Sequence, residues 1–166
     1  MSDDYSVYWF QRLIQKATSY RPTLWVASRI FHHLDPIVYK MSGGRFTMVS
    51  VLGGLPVLTL TTTGAKSGQK RDVPLVGIPD GDNLIVIASN WGQKHHPGWY
   101  YNLQANPEVE VTIDRTTSDY IARDATDAEY DAYWEKAVSV SRNYDAYKKR
   151  TGGRKIPIVV LTPVKT

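Results

Sequence analysis

The feature that most constrains this chain is a change of hydrophobic period near residue 57. Before it, apolar residues recur at helix spacing; after it, they gather in short β-branched runs separated by tight turns. In the first part Tyr8, Trp9, Leu13, Ile14 and Ala17 share a helical pattern. Leu24, Val26, Ile30, Phe31 and Leu34 continue it between Pro22 and Pro36, and Gly43-Gly44 ends it. In the second part residues 57–63 read as a strand, 64–68 as a turn and 71–78 as a second strand. Residues 80–83 form another turn, and 84–88 are an apolar run of buried-strand length. A short helix is expected over 97–106. The alternation of Val109, Val111 and Ile113 makes 108–114 a half-buried strand, with 117–122 as its hairpin partner. Thr126-Asp127-Ala128-Glu129 is a capping box opening a helix to about Val140. Residues 144–150 read as a further helical turn and 156–161 as a final strand, whose Pro157 argues for an edge or an end of the sheet.

Strands joined as hairpins, without βαβ units, imply an antiparallel sheet. About six strands with helices before and after give an α+β fold, an antiparallel barrel or half-barrel with flanking helices. No linker divides the 166 residues, so a single domain over 1–166 is expected, with an N-terminal helical segment over 1–44 and a barrel core over 55–162.

Composition narrows the chemistry. The chain contains no cysteine, which excludes disulfides, thiolate nucleophiles and cysteine-ligated metal centres. Asp3 and Asp4 stand where a secretory leader would be basic, and no run approaches the ~20 apolar residues of a spanning helix. A cytoplasmic location is expected. The amphipathic residues Tyr8, Trp9, Phe10, Leu13 and Ile14, with Arg12 and Lys16, suit a membrane surface, the chain's own domain or a second subunit. The net charge of +4 suits an anionic cofactor, an anionic lipid surface or nucleic acid. Scattered basic residues argue against nucleic acid. Five Trp and eleven Tyr exceed what a core of this size needs, and such residues commonly line pockets. No Gly-x-Ser-x-Gly elbow and no Gly-x-Gly-x-x-Gly turn is present, against hydrolysis and against a Rossmann nicotinamide site. His95-His96 lacks a carboxylate at ligand spacing, against a metal.

Gly64-Ala65-Lys66-Ser67-Gly68-Gln69-Lys70-Arg71 admits two readings. It is either a solvated hairpin turn or an anion cradle, in which glycines free backbone N–H groups and Lys66 and Arg71 add charge. It is not a Walker loop, since the glycine spacing differs and a strand follows.

Two longer stretches resemble the deazaflavin-dependent nitroreductase family. One runs from Leu60 through Thr61-Thr62-Thr63-Gly64-Ala65-Lys66-Ser67-Gly68-Gln69-Lys70-Arg71 to Pro74-Leu75. The other comprises Ala88-Ser89-Asn90-Trp91-Gly92, Pro97-Gly98-Trp99-Tyr100-Tyr101-Asn102-Leu103 and Ala105-Asn106-Pro107. Ala122-Arg123-Asp124-Ala125-Thr126 with Tyr133-Trp134 is a weaker third. The resemblance implies a split β-barrel, the deazaflavin coenzyme F420, and hydride transfer to an organic acceptor: an activated alkene, a quinone or a nitro compound. It implies that Lys66, Ser67, Gly68 and Arg71 grip the cofactor phosphate, and that Pro74 and Leu75 bind the ring through the strand backbone. Ser89, Asn90, Trp91 and Gly92 would touch ring and phosphate, and Asn102 would hold the cofactor or its loop. The family often has a lysine at the position of Asn90; Lys94, His95 and His96 stand near enough in sequence to supply the missing contact. Trp99 and Leu103 are expected to pack inward.

Tyr144 and Tyr147, three apart on one helix face, match tyrosines that border the acceptor pocket in nitroimidazole-reducing relatives, and they are the expected catalytic residues. Ser141 replaces a further tyrosine there, which enlarges or repolarises the pocket and counts against nitroimidazoles. A homodimer is expected from related barrels. The alternatives are an FMN-dependent reductase on the same barrel and a non-catalytic binder of a cofactor, haem or lipid.

Overall fold

The structure is a computed structural model, and it describes residues 57–164. The helical pattern expected before residue 44 lies outside the described residues. Among these, seven strands form one antiparallel sheet: β1 (Val57–Thr63), β2 (Lys70–Val76), β3 (Ile78–Asp80), β4 (Asn83–Ile87), β5 (Glu108–Ile113), β6 (Thr116–Asp124) and β7 (Ile158–Pro163). The helices are α1 (Gly98–Ala105), α2 (Asp127–Val140) and α3 (Asn143–Arg150), and a single 3-10 turn spans Asn90–Gly92. No helix among the described residues is long and apolar enough to cross a membrane.

The strand order is β2-β1-β5-β6-β7-β4-β3. Its two edges, β2 and β3, are consecutive in the chain and separated by Gly77 alone. A flat sheet of seven strands would hold its edges roughly 29 Å apart, at about 4.8 Å per step. One residue spans no such distance, so the sheet must curl until its edges meet. The fold is therefore a split β-barrel with flanking helices. Gly77 forms the corner, and a Cβ there would lie 2.4 Å from the Leu58 side chain.

Two apolar clusters hold the barrel. Leu58, Leu60, Val86, Val109, Val111, Val159 and Leu161 fill its interior, closed by Trp99 and Leu103 of α1, the two residues expected to point inward. Ile85, Ile87 and Ile158 face the opposite way and pack with Trp134, Ala137, Tyr144 and Tyr147 of α2 and α3. The runs in β4 and β7 are continuously apolar because both of their faces are covered, whereas β5 alternates because one face meets water.

Three expectations need correction. The strand expected over 71–78 is two strands, because Gly77 turns the chain from one sheet edge to the other. Pro157 does not mark an edge, since β7 is paired on both sides, with β6 and β4. It precedes the strand, where its missing N–H costs no ladder bond, and its carbonyl accepts from Ala88 N at 2.9 Å. The proline on an edge strand is Pro74 of β2. Finally, β6 starts earlier than expected because Asp114 and Arg115 both take positive φ and close a two-residue turn, and it ends later because Arg123 and Asp124 pair with Val160 and Val159 of β7.

Candidate active site

In an antiparallel sheet, alternate strand ends share a side. The end of β1, the start of β2, the end of β4 and the starts of β5 and β7 therefore lie at one end of the barrel. The turn between β1 and β2, the segment 88–97, α1 and the segment 154–157 all emerge there.

The β1–β2 turn is built by Gly64 and Gly68. Gly68 N donates to Gly64 O and Gly64 N to Gln69 O, both at 2.8 Å. Gly68 has φ +64 with nothing within 4 Å of a notional Cβ, a backbone that opens outward. Ser67 Oγ accepts from Gln69 N at 3.4 Å, which leaves the hydroxyl proton free to donate. Lys66 and Arg71 are exposed, and neither side chain has an ion pair among the described residues. Lys70, by contrast, is engaged by Glu110, which raises its pKa. Strand alternation puts Arg71 on the same face as Val73 and Leu75, which pack against the interior cluster, and opposite the buried Thr62. Pro74 points to the other face. The edge strand and the turn thus combine two uncommitted cations, a hydroxyl donor and an open glycine backbone. That set fits a phosphate-bearing ligand with a flat ring beside β2.

Asn102 ties this turn to α1. Its Oδ1 accepts from Ala65 N at 3.0 Å and its Nδ2 donates to Thr62 Oγ1 at 3.0 Å. Asn106 adds a donation to Thr63 O at 3.4 Å.

At the same end of the barrel, Ser89 leads into a turn of unusual backbone. Asn90, Trp91 and Gly92 have φ of 49, 58 and 77. The Asn90 side chain is turned inward on its own loop, donating to His95 O at 3.1 Å. Gly92 lies against α3, where a Cβ would sit 2.8 Å from Tyr147 O. Trp91 meets the Tyr147 ring edge-on, with centroids 6.0 Å apart. The turn and the two tyrosines, separate motifs in the sequence, are thereby joined.

Tyr144 and Tyr147 are 7% and 8% exposed, their rings T-stacked at 6.1 Å. Burial pushes both phenols upward, that of Tyr147 to about 12, so both are protonated at neutral pH. Ser141 is buried at the junction of α2 and α3, its N–H donating to Ala137 O.

Arg154 escaped the sequence reading, and Asp124, quoted there within a motif, was given no role. Arg154 donates to Ser89 O at 2.8 Å, twice to Gln93 O at 3.0 and 3.1 Å, and to Ala88 O at 3.4 Å; it also reaches His96 Nδ1 at 2.9 Å. Desolvation lowers the pKa of Arg154, and that of His96 is lowered by burial and then by the guanidinium. Asp124 accepts from the Tyr100 hydroxyl at 3.0 Å and from Gln104 Nε2 at 3.3 Å, fixing α1 to β6. Burial and that bond push Tyr100 to about 12. The one sequence signal for Arg154 is Gly152-Gly153, whose φ of 68 and 97 turns the chain after α3.

The family model for F420H(2)-dependent quinone reductases matches residues 33–163. An F420H(2)-dependent quinone reductase of Mycobacterium tuberculosis strain H37Rv is 37% identical over 132 residues, covering 78% of this chain and 87% of that protein. A solved F420-H2 dependent reductase is 37% identical with a TM-score of 0.59, over 64% of this chain and 93% of that one. A second solved relative, described as a domain-swapped dimer, is 32% identical with a TM-score of 0.61, over 85% and 99% of the two chains.

Proposed function

The chain belongs to the F420H(2)-dependent quinone reductase family, and from that premise we propose that it reduces a quinone with reduced F420, its residues assigned as follows. Bound reduced deazaflavin supplies a hydride, which with one further proton converts a quinone to a hydroquinone. Lys66 and Arg71 neutralise the cofactor phosphate, Ser67 donates to it, and Gly68 lets the backbone approach. The β2 backbone at Pro74 and Leu75 aligns the ring, and the turn of Ser89, Asn90, Trp91 and Gly92 bounds it at the same end of the barrel. Asn102 holds the phosphate turn in place. Tyr147, with Tyr144 behind it, presents a neutral phenol on the acceptor side, a form able to give a proton.

The observation that carries this reading is that two cations without an ion pair among the described residues stand on an open glycine turn, beside a sheet edge that no described strand pairs. The experiment is equilibrium binding of F420 to the native chain, to Lys66→Ala and to Arg71→Ala, with FMN as competitor. Native binding with about a tenfold or greater loss in each variant supports the cradle, since a charge-assisted bond is worth about 1.5–3 kcal/mol. Preference for FMN would favour the flavin alternative. Binding without oxidation of reduced F420 by any quinone would favour a non-catalytic carrier. The dimer, suggested by the domain-swapped relative, is tested by the mass in solution. Membrane contact through the segment around Tyr8 to Lys16 is tested by liposome co-sedimentation with and without residues 1–20.

A further inference from the structure

We propose that the Trp91 indole is the acceptor-facing wall of the site, and that Arg154 is the positioning residue that holds it there. The inference rests on the quinone-reductase reading above and adds to it a specificity-determining side chain and its support.

The backbone is the first argument. Non-glycine residues at positive φ are strained, and a bulky side chain there is an outlier. Asn90 and Trp91 are consecutive such residues, at φ 49 and 58, followed by Gly92 at 77. Strain of this kind persists only where the surroundings over-determine it. They do so here from two sides. Arg154 binds the carbonyls of Ala88, Ser89 and Gln93, which bracket the turn. Gly92 is pressed against the backbone of α3 at Tyr147. Because Arg154 follows α3 through Gly152-Gly153, both supports of the turn come from one short stretch of chain.

The second argument is what the strain holds. Trp91 remains 45% exposed although its ring edge meets Tyr147. Trp134, Tyr144, Tyr147 and Trp91 form a row of edge-on contacts at 6.4, 6.1 and 6.0 Å, and Trp91 is its outer end. An indole needed only for packing would be drawn into the cluster with the other three. Held outward at the mouth where the phosphate turn also opens, it offers an electron-rich face to a flat, electron-poor ring, the chemistry of a quinone.

His96 gives the clamp a pH signature. To accept from Arg154 Nη1, His96 Nδ1 must be unprotonated. The groups facing His96 are Arg154, its neighbour His95, Tyr100 and Tyr101 of α1, and Asp124 of β6, which alone favours the charged ring. Burial and Arg154 outweigh Asp124, so the ring stays neutral until the pH falls below the ordinary 6.5. Below that the imidazolium cannot accept, and the clamp loses one arm.

The test is steady-state reduction of a soluble naphthoquinone, menadione, by reduced F420, alongside F420 binding. Trp91→Gly suits φ +58 and leaves the turn intact. It raises the KM for menadione about tenfold and raises the F420 Kd by a clearly smaller factor, and Trp91→Phe recovers most of the loss in KM. Arg154→Lys keeps the charge but cannot span three carbonyls, and it raises the same KM. In the native chain kcat/KM declines below the His96 pKa; His96→Gln, which still accepts, removes that decline. An unchanged KM in Trp91→Gly or in Arg154→Lys overturns the inference while leaving the quinone-reductase reading in place, and an acid decline that persists in His96→Gln removes His96 from the clamp. A native chain that binds no F420 overturns both.

Discussion

The carboxamide of Asn102 accepts the backbone N–H of Ala65 at 3.0 Å, so α1 fixes the conformation of the β1–β2 turn beside it. The same side chain donates to Thr62 Oγ1. Asn102→Ala removes both bonds and frees the turn, and F420 binding weakens about five- to tenfold. Asn102→Asp retains the acceptor but loses the donor and sets a negative charge beside the cradle. It weakens binding further, and its loss shrinks as salt rises. Fluorescence titration of F420 at two ionic strengths measures both effects.

Two glycines with similar φ should respond differently to alanine. Gly92→Ala meets Tyr147 O at 2.8 Å and Arg150 Cβ at 3.0 Å, with φ +77 adding strain. The loss exceeds about 2 kcal/mol and lowers the Tm by about 5 °C or more. Gly68→Ala meets nothing within 4 Å, so only the strain of φ +64 remains, about 1 kcal/mol. Thermal unfolding of the two variants side by side decides it.

Acid stability should carry the mark of Glu129. Arg123, in a two-bond pairing at 2.7 and 2.8 Å, and the Thr126 N–H at 2.8 Å hold its carboxyl near 2, against an ordinary 4.5. A depressed folded pKa means that the unfolded state takes up the proton first. The contribution is therefore full above about 4.5 and lost as pH falls towards 2. Glu129→Gln removes that part of the pH dependence, read as the difference between the two chains' Tm at pH 6 and at pH 3.

Tyr147→Phe keeps the ring that packs on Trp91 and deletes the hydroxyl. If the phenol delivers the proton, kcat with a quinone falls on the order of 100-fold with little change in Tm. A kcat within about twofold of native would assign that proton to water. Tyr144→Phe, one ring deeper in the row, is the companion measurement.

Much of this architecture was legible in residue order because local rules dictate it. The Thr126–Glu129 capping box needs four residues and the helix they open, and it is present with both of its bonds. Hairpin turns between alternating runs announced antiparallel pairing. Pro157 misled because a proline one residue outside a strand looks the same in sequence as one inside it. Gly77 was passed over because its role depends on where the two sheet edges meet, a property of the closed barrel and not of the neighbouring residues.

The site divides in the same way. The glycines, Lys66, Ser67 and Arg71 of the first turn lie within eight consecutive residues, so their chemistry is written locally. Arg154 acts on carbonyls more than sixty residues earlier, and backbone carbonyls leave no trace in side-chain identity. The sequence by itself determined the strands, their hairpin pairing and the cationic turn, because these follow from short-range periodicity and turn chemistry. Only the tertiary structure decided that the sheet closes through Gly77, and that Arg154 and Gly92 fix Trp91 at the mouth. Those depend on surfaces that meet only after the chain has folded.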